Sequence, residues 1–337
     1  MHMADALLSP VVGGVMWAAS ASLIAYSAKK VKNESDQRKV PLMGVLGAFI
    51  FAAQMINFSI PATGSSGHLG GGMILSILLG PYAAFLVMAS ILTVQAFLFA
   101  DGGLLALGCN IFNLGFFTSF IAYPMIYKKI VGDNLTRGKI IVGSILSAII
   151  GLQLGAFGVV LETVFSGISE LPFKSFVLLM QPIHLAIGIV EGLVTASVVA
   201  FVWKARPEII NATVNNRPIG KVDMRKVLLG LLAVSLVTAA ILSWFASSNP
   251  DGLEWAMFKA SGKEELEVSE GIGSSLASIQ EKIAVLPDYG FKNHQGSSSY
   301  PAVSLGTSVS GLVGGTLVLS VAVIAGLVLR RRKVTSE

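Results

Sequence analysis

The chain has 337 residues, 53% of them hydrophobic and 13% charged, with a mean hydropathy of +0.74 and a formal net charge of +5. Soluble domains carry about 25% charged residues, so a water-facing globular surface is excluded and the chain reads as a polytopic membrane protein. Its basic residues sit in short clusters between apolar runs, the pattern of cytoplasmic loops, which argues against nucleic-acid binding; Cys109 stands alone, so no intrachain disulfide is available.

The opening Met1-His2-Met3-Ala4-Asp5 has no Lys or Arg ahead of the first apolar run. A secretory signal peptide needs a basic start and a cleavage site, so the mature chain is expected to begin at Met1. Apolar runs follow at 9–28, 41–58, 71–100, 104–127, 139–166, 177–203, 227–246 and 309–329. Basic clusters lie at Lys29-Lys30-Val31-Lys32 with Arg38-Lys39, at Lys128-Lys129 with Arg137 and Lys139, at 204–226, and at Arg330-Arg331-Arg332-Lys333. If all four are cytoplasmic, the N-terminus lies outside, the C-terminus inside, and the run 71–100 has to cross twice. As helix that run reaches only about 45 Å, short of two full spans of about 30 Å each, so one leg is short and Gly80-Pro81-Tyr82 is the expected hinge. The count is then about nine crossings; a single tilted helix over 71–100 gives eight and breaks the charge rule.

The expected fold is all-α and polytopic: a seven-helix module over 1–203, a polar cytoplasmic linker over 204–226, and a two-span module over 227–337 with an outer loop at 247–308. That loop holds eight acidic residues against four lysines, the reverse of the cytoplasmic segments. No phosphate-binding loop is present, because Gly138-Lys139, Gly220-Lys221 and Gly262-Lys263 each lack the trailing Ser or Thr. No H-E-x-x-H is present either, and the histidines at 2, 68, 184 and 294 are far apart. The chain is therefore read as a non-enzyme without a cofactor.

Two stretches could hold a metal ion. With Met1 retained, the α-amine, the His2 amide nitrogen and the His2 imidazole can close two fused chelate rings. An α-amine has a pKa of about 7.7–8.0, within reach of displacement by a metal at neutral pH, and a deprotonated amide suits square-planar Ni(II) or Cu(II) better than Zn(II). Thr63-Gly64-Ser65-Ser66-Gly67-His68-Leu69-Gly70-Gly71-Gly72 is a glycine-rich loop around one histidine, expected on the same side. His68 can supply the fourth donor; on spacing alone, both histidines equally suit plain exposed positions.

The Met1-His2-Met3-Ala4-Asp5 start, the Ser66–Gly72 loop and Gln181-Pro182-Ile183-His184-Leu185-Ala186-Ile187-Gly188-Ile189-Val190-Glu191-Gly192 resemble the substrate-binding S component of nickel and cobalt energy-coupling-factor (ECF) transporters, the CbiM/NikM type. Ser248-Asn249-Pro250-Asp251-Gly252-Leu253-Glu254-Trp255 resembles the PDGLE signature of its two-span companion, here fused as in NikMN-type proteins. The resemblance implies a substrate-specific subunit of the prokaryotic cell membrane that captures Ni2+ or Co2+ outside. It also implies partners, a transmembrane coupling protein and paired cytosolic ATPases, and it implies Met1, His2 and His68 as the metal ligands.

Polar residues inside the membrane are candidates for function. His184 and Glu191 share a helix face and would either support the metal site or hydrogen-bond between helices. Gln54, Asn57, Gln95, Asn110, Asn113 and Gln153 would line the path or hold the N-terminal segment, and Asp101 and Glu162 are rim residues. Asp251 and Glu254 would raise the local cation concentration or simply build a turn. In the first helix Ala18, Ala21, Ser22 and Ala25 permit close helix packing, against the coupling protein or within the bundle. Cobalt uptake for cobalamin synthesis and a non-transporting sensor or assembly subunit are the rival readings.

Overall fold

The computed structural model describes residues 2–34, 36, 38–132, 134–169, 171–263, 271–292 and 305–329. Ahead of the first helix, residues 2–8 fold inward around a single turn, Asp5–Leu7, with Met3, Leu7 and Leu8 buried. Helix α1 (Pro10–Glu34) starts on a proline, whose fixed φ suits the first helical position. Helix α2 (Lys39–Gln54) leads into a small antiparallel ladder of β1 (Phe58–Ile60) and β2 (Ser65–Gly67), with Ser59 opposite Ser66. Strands this short carry no readable periodicity, so the ladder forms where the sequence predicts only a glycine-rich loop.

The run 71–100 breaks where expected. Helix α3 (Gly72–Leu79) ends at Gly80, whose φ of +82° only glycine adopts readily, and Pro81 opens α4 (Pro81–Phe99). With eight residues, α3 rises about 12 Å, less than a full span, and residues 65–71 ahead of it are buried except for the half-buried His68. Helix α5 (Leu107–Val131) is wound as a π-helix over Phe112–Tyr127. Helix α6 (Arg137–Ser166) is capped by Thr136, whose hydroxyl accepts from Lys139 N, and ends on Gly167 at φ +63°. It packs along α7 (Phe173–Ala205), where a side chain on Gly192 would come within 2.7 Å of Ile145 Cα.

The polar 204–226 stretch contains a feature its composition conceals. Helix α8 (Pro207–Val214) buries Ile209, Ile210 and Val214. Thr213 Oγ1 donates to Leu78 O (3.3 Å), and Tyr123 donates to Thr213 O (3.1 Å). It thus covers the end of the short α3, whose last carbonyls would otherwise lack partners.

The C-terminal region adds α9 (Arg225–Ala240), α10 (Gly252–Ser261), α11 (Ile272–Ile283) and α12 (Leu305–Val328). α12 lies along α2, where glycines allow close approach: a side chain on Gly44 would meet Val323 at 2.5 Å, and one on Gly326 would meet Val40 at 2.9 Å. This is the small-residue packing that joins helices in lipid. Lys30, Lys39, Lys128 and Arg217 line one cavity beside the Gly80 hinge, so basic residues from three separate segments gather at the end of the bundle opposite residues 2–8.

Candidate metal site

Residues 2–5 are held by the turn between α4 and α5. Met3 N donates to Asn110 Oδ1 (2.8 Å), and Met3 O accepts from Asn110 Nδ2 (3.2 Å) and Gly103 N (2.9 Å). Asp5 is buried and its Oδ1 accepts from Ala106 N at 3.0 Å. Gly103 leaves the room for this, since a side chain there would lie 1.8 Å from Asp5 Oδ1. Asn110 therefore holds the N-terminal segment in place. Asn113 Nδ2 donates to Glu162 (2.7 Å) and reaches the Met3 sulfur at 4.0 Å.

The glycine-rich loop is fixed from below and above. Below, Glu191 accepts from Gly70 N and Gly71 N, both at 3.0 Å, and Gln54 Nε2 donates to Gly70 O at 2.9 Å. Above, the turn before α10 continues the ladder: Ser66 N donates to Pro250 O (2.8 Å), Ser66 Oγ to Asn249 O (2.8 Å), and Trp255 Nε1 to Thr63 O (3.0 Å). Ser247 N donates to Asn57 O at 2.7 Å, while Gln153 pairs with the Gln181 carbonyl away from the site.

These two anchorages bring His2 and His68 together. Their rings stack with centroids 5.0 Å apart and planes inclined by 18°. His2 Nδ1 lies 2.8 Å from Asp101 Oδ1, and its Nε2 is buried without a hydrogen-bond partner. His68 Nδ1 meets Leu69 O at 3.1 Å, and its Nε2 lies 3.8 Å from Asp251 Oδ2. Burial pushes the His68 imidazole down to about 3, so at neutral pH the ring is uncharged. For Asp101 burial acts upward, but the charge and hydrogen bond of His2, with a hydrogen bond from Tyr289, prevail and hold the carboxyl below the usual range. Met1 lies outside the described residues.

A cavity of about 770 Å³ opens onto the pair, lined among others by Asp101, Asp251, Glu254 and Tyr289. Among the described residues no three His, Cys, Asp or Glu side chains form a ready metal cage, so an ion held between the histidines needs donors of another kind. Asp251 and Glu254 form a capping box on α10: Asp251 Oδ1 accepts from Leu253 N and Glu254 N, and Glu254 accepts from Asp251 N. The turn reading of this motif is what the structure displays: one oxygen of Asp251 caps the helix, and the other faces His68. His184 lies beneath; its Nδ1 meets Met180 O at 2.8 Å, and its ring abuts Gly252. Asp5, Gln280 and Tyr289 are site residues the sequence reading missed; only Asp5 stood next to a signal, the Met-His start.

Residues 2–209 match the family described as cobalt uptake substrate-specific transmembrane region, CbiM. The chain belongs to the CbiM family. Residues 225–331 match the PDGLE domain, so the α9–α12 region is a second recognised module. An Archaeoglobus fulgidus protein that bears the name of a fused nickel transport protein, NikMN, is 33% identical over 320 residues, covering 95% of this chain and 96% of that one. The Sorangium cellulosum cobalt transport protein CbiM is 28% identical over 63% of this chain and 95% of its own length. A solved transition metal transporter superposes with a TM-score of 0.55 at 32% identity, covering 61% of this chain and 94% of that one.

Proposed function

We propose that this CbiM-family chain is the substrate-specific membrane subunit of an ATP-driven uptake system of the ECF type, and that it captures Ni2+ from outside the cell. The observation that carries the reading is the stacked His2–His68 pair, held by two independent anchorages, with a buried His2 nitrogen lacking any partner. Buried polar groups are almost always satisfied, so the unpaired atom marks a ring whose partners change when a guest enters. Met1 amine, His2 amide, His2 imidazole and His68 imidazole supply four nitrogens, a strong field suited to square-planar Ni2+. His184 and Glu191 support the His68 loop, and Asp251 with Glu254 draws cations into the cavity. ATP hydrolysis falls to paired cytosolic ATPases acting through a transmembrane coupling protein, which brings about release inward. The N-terminus faces outside and the basic end of the bundle faces the cytoplasm, in keeping with the positive-inside rule.

A fused nickel-named relative matched over 95% of this chain, and a second one matched over 62% of it, favour nickel. The cobalt-named relatives keep Co2+, and with it uptake for cobalamin synthesis, as the second reading. The test is metal content and electronic absorption of full-length protein with a free N-terminus, beside His2→Ala and His68→Ala. A diamagnetic Ni2+ species with a d–d band of square-planar type, lost in both variants, is expected. Wild type that holds neither metal, or binds it equally well without His2, would overturn the reading and leave a sensor or assembly role.

A further inference from the structure

The PDGLE module does more than cover the bundle: it grips the turn that carries Asp101. Gln280 Nε2 donates to Ala96 O (2.9 Å) and Gly102 O (2.7 Å), on either side of Asp101. Leu286 N donates to Leu98 O at 3.1 Å. Tyr289 then stacks its ring on Phe99, centroids 4.8 Å apart, and donates its hydroxyl to Asp101 Oδ2 at 2.5 Å. Gln95 Nε2 donates to the same hydroxyl oxygen (3.3 Å), so the hydroxyl hydrogen is committed to the carboxylate.

The backbone here is costly. Asp288 and Tyr289 lie at φ +50° and +57°, two consecutive non-glycine residues in the left-handed region. Such conformations persist where surrounding contacts over-determine them, and they cluster at functional sites. A bulky tyrosine is not chosen for this backbone; it is held there for what its side chain reaches.

We infer that Tyr289 is a positioning residue for the metal site, fixing the Asp101 carboxylate so that Asp101 in turn orients the His2 ring. The inference rests on the proposed Ni2+ site. The fused chelate closes through His2 Nδ1, because ion, amide nitrogen, Cα, Cβ, Cγ and Nδ1 make a six-membered ring. In the structure Nδ1 faces Asp101 and Nε2 is orphaned. Loading therefore turns the ring about Cβ–Cγ, which releases Nδ1 to the ion and carries Nε2 to the edge beside Asp101. Both nitrogens are then satisfied, in the carboxylate–histidine–metal arrangement that orients a ligand and raises its basicity. The carboxylate must hold its place while the ring exchanges, and the Tyr289 hydroxyl does that.

The test uses the full chain with a free N-terminus, loaded with Ni2+, and follows the d–d band and the rate of Ni2+ loss to excess EDTA. Tyr289→Phe should keep the wild-type stoichiometry and melting temperature but lose Ni2+ about 10- to 100-fold faster, the usual effect of removing a ligand's partner. Asp101→Asn should also accelerate loss, and the double variant should lose Ni2+ no faster than Asp101→Asn alone. A merely structural tyrosine would act additively with Asp101→Asn; that additivity, or a wild-type rate in Tyr289→Phe, rejects the inference. The comparison at one temperature holds even if Tyr289→Phe melts earlier. Wild type that takes up no Ni2+, or is indifferent to His68→Ala, sinks the site itself and this inference with it. A normal wild type beside an unaffected Tyr289→Phe sinks the inference alone.

Discussion

Gly103→Ala is the most direct probe of whether the N-terminal segment is the ligand carrier. The added Cβ would lie 1.8 Å from Asp5 Oδ1, 2.4 Å from its Cγ and 2.5 Å from its backbone N. The nearest atoms include backbone, so no side-chain rotation relieves all three contacts, and residues 2–5 must move by more than 1 Å to reach ordinary van der Waals separation. That displacement breaks the Gly103 N–Met3 O bond (2.9 Å) and the Ala106 N–Asp5 bond (3.0 Å). Each buried group left unpaired costs about 1–3 kcal/mol, so the bound arrangement loses about 2–6 kcal/mol. At 1.4 kcal/mol per decade the Ni2+ affinity should fall at least about thirtyfold. The assay is competition with a calibrated chelator, using size-exclusion profile and circular dichroism to show an intact bundle. Gly14→Ala, with nothing within 4 Å of its new methyl group, is the control. Affinity within threefold of wild type in Gly103→Ala would refute the anchoring of His2 by the α4–α5 turn.

Three further outcomes are expected. Below the pKa of an α-amine, about 7.7–8.0, Ni2+ loading expels one proton from the amine and one from the amide, besides any carried by the His2 ring, so lowering the pH from 7.5 to 6.5 should weaken binding at least about 100-fold. His68, pushed down to about 3 by burial, adds no proton to that count, and a measured release of one proton would remove either the amine or the amide from the ligand set. Glu191→Ala should strand Gly70 N and Gly71 N, lowering both Ni2+ retention and the melting temperature, with protease cleavage appearing within 61–71. Gly44→Leu should drive α12 from α2 through its contacts with Val323 and Leu319 O; the melting temperature should drop, whereas Gly14→Leu on an open face should leave it unchanged.

Much of the fold could be read from local rules. The hinge at Gly80-Pro81 follows from two residues with unusual backbones, and the long helices from unbroken apolar runs. Helix α8 could not be read, because its Asn- and Pro-containing segment looks like a linker until Leu78 and Tyr123 supply partners. The histidine pair was legible as chemistry: a Met-His terminus and an imidazole in a flexible loop. What holds the pair was not. Tyr289 and Asp101 are 188 positions apart, and no periodicity links a tyrosine in a polar loop to a carboxylate at a helix turn. Asp251 was legible as a turn residue, yet its second oxygen faces His68 only because Ser66 continues the ladder onto Pro250.

The anchorage of Met3 by Asn110 spans 107 positions, which sets a timetable for biogenesis. At about 5–20 residues per second, the first residues wait at least about 5 s after synthesis before α5 exists to receive them. During that interval residues 2–5 have no seat in the bundle, because Asn110, Gly103 and Ala106 are not yet in place to receive them. The segment that carries His2 is therefore made first and seated late: its place in the fold waits on residues more than a hundred positions downstream.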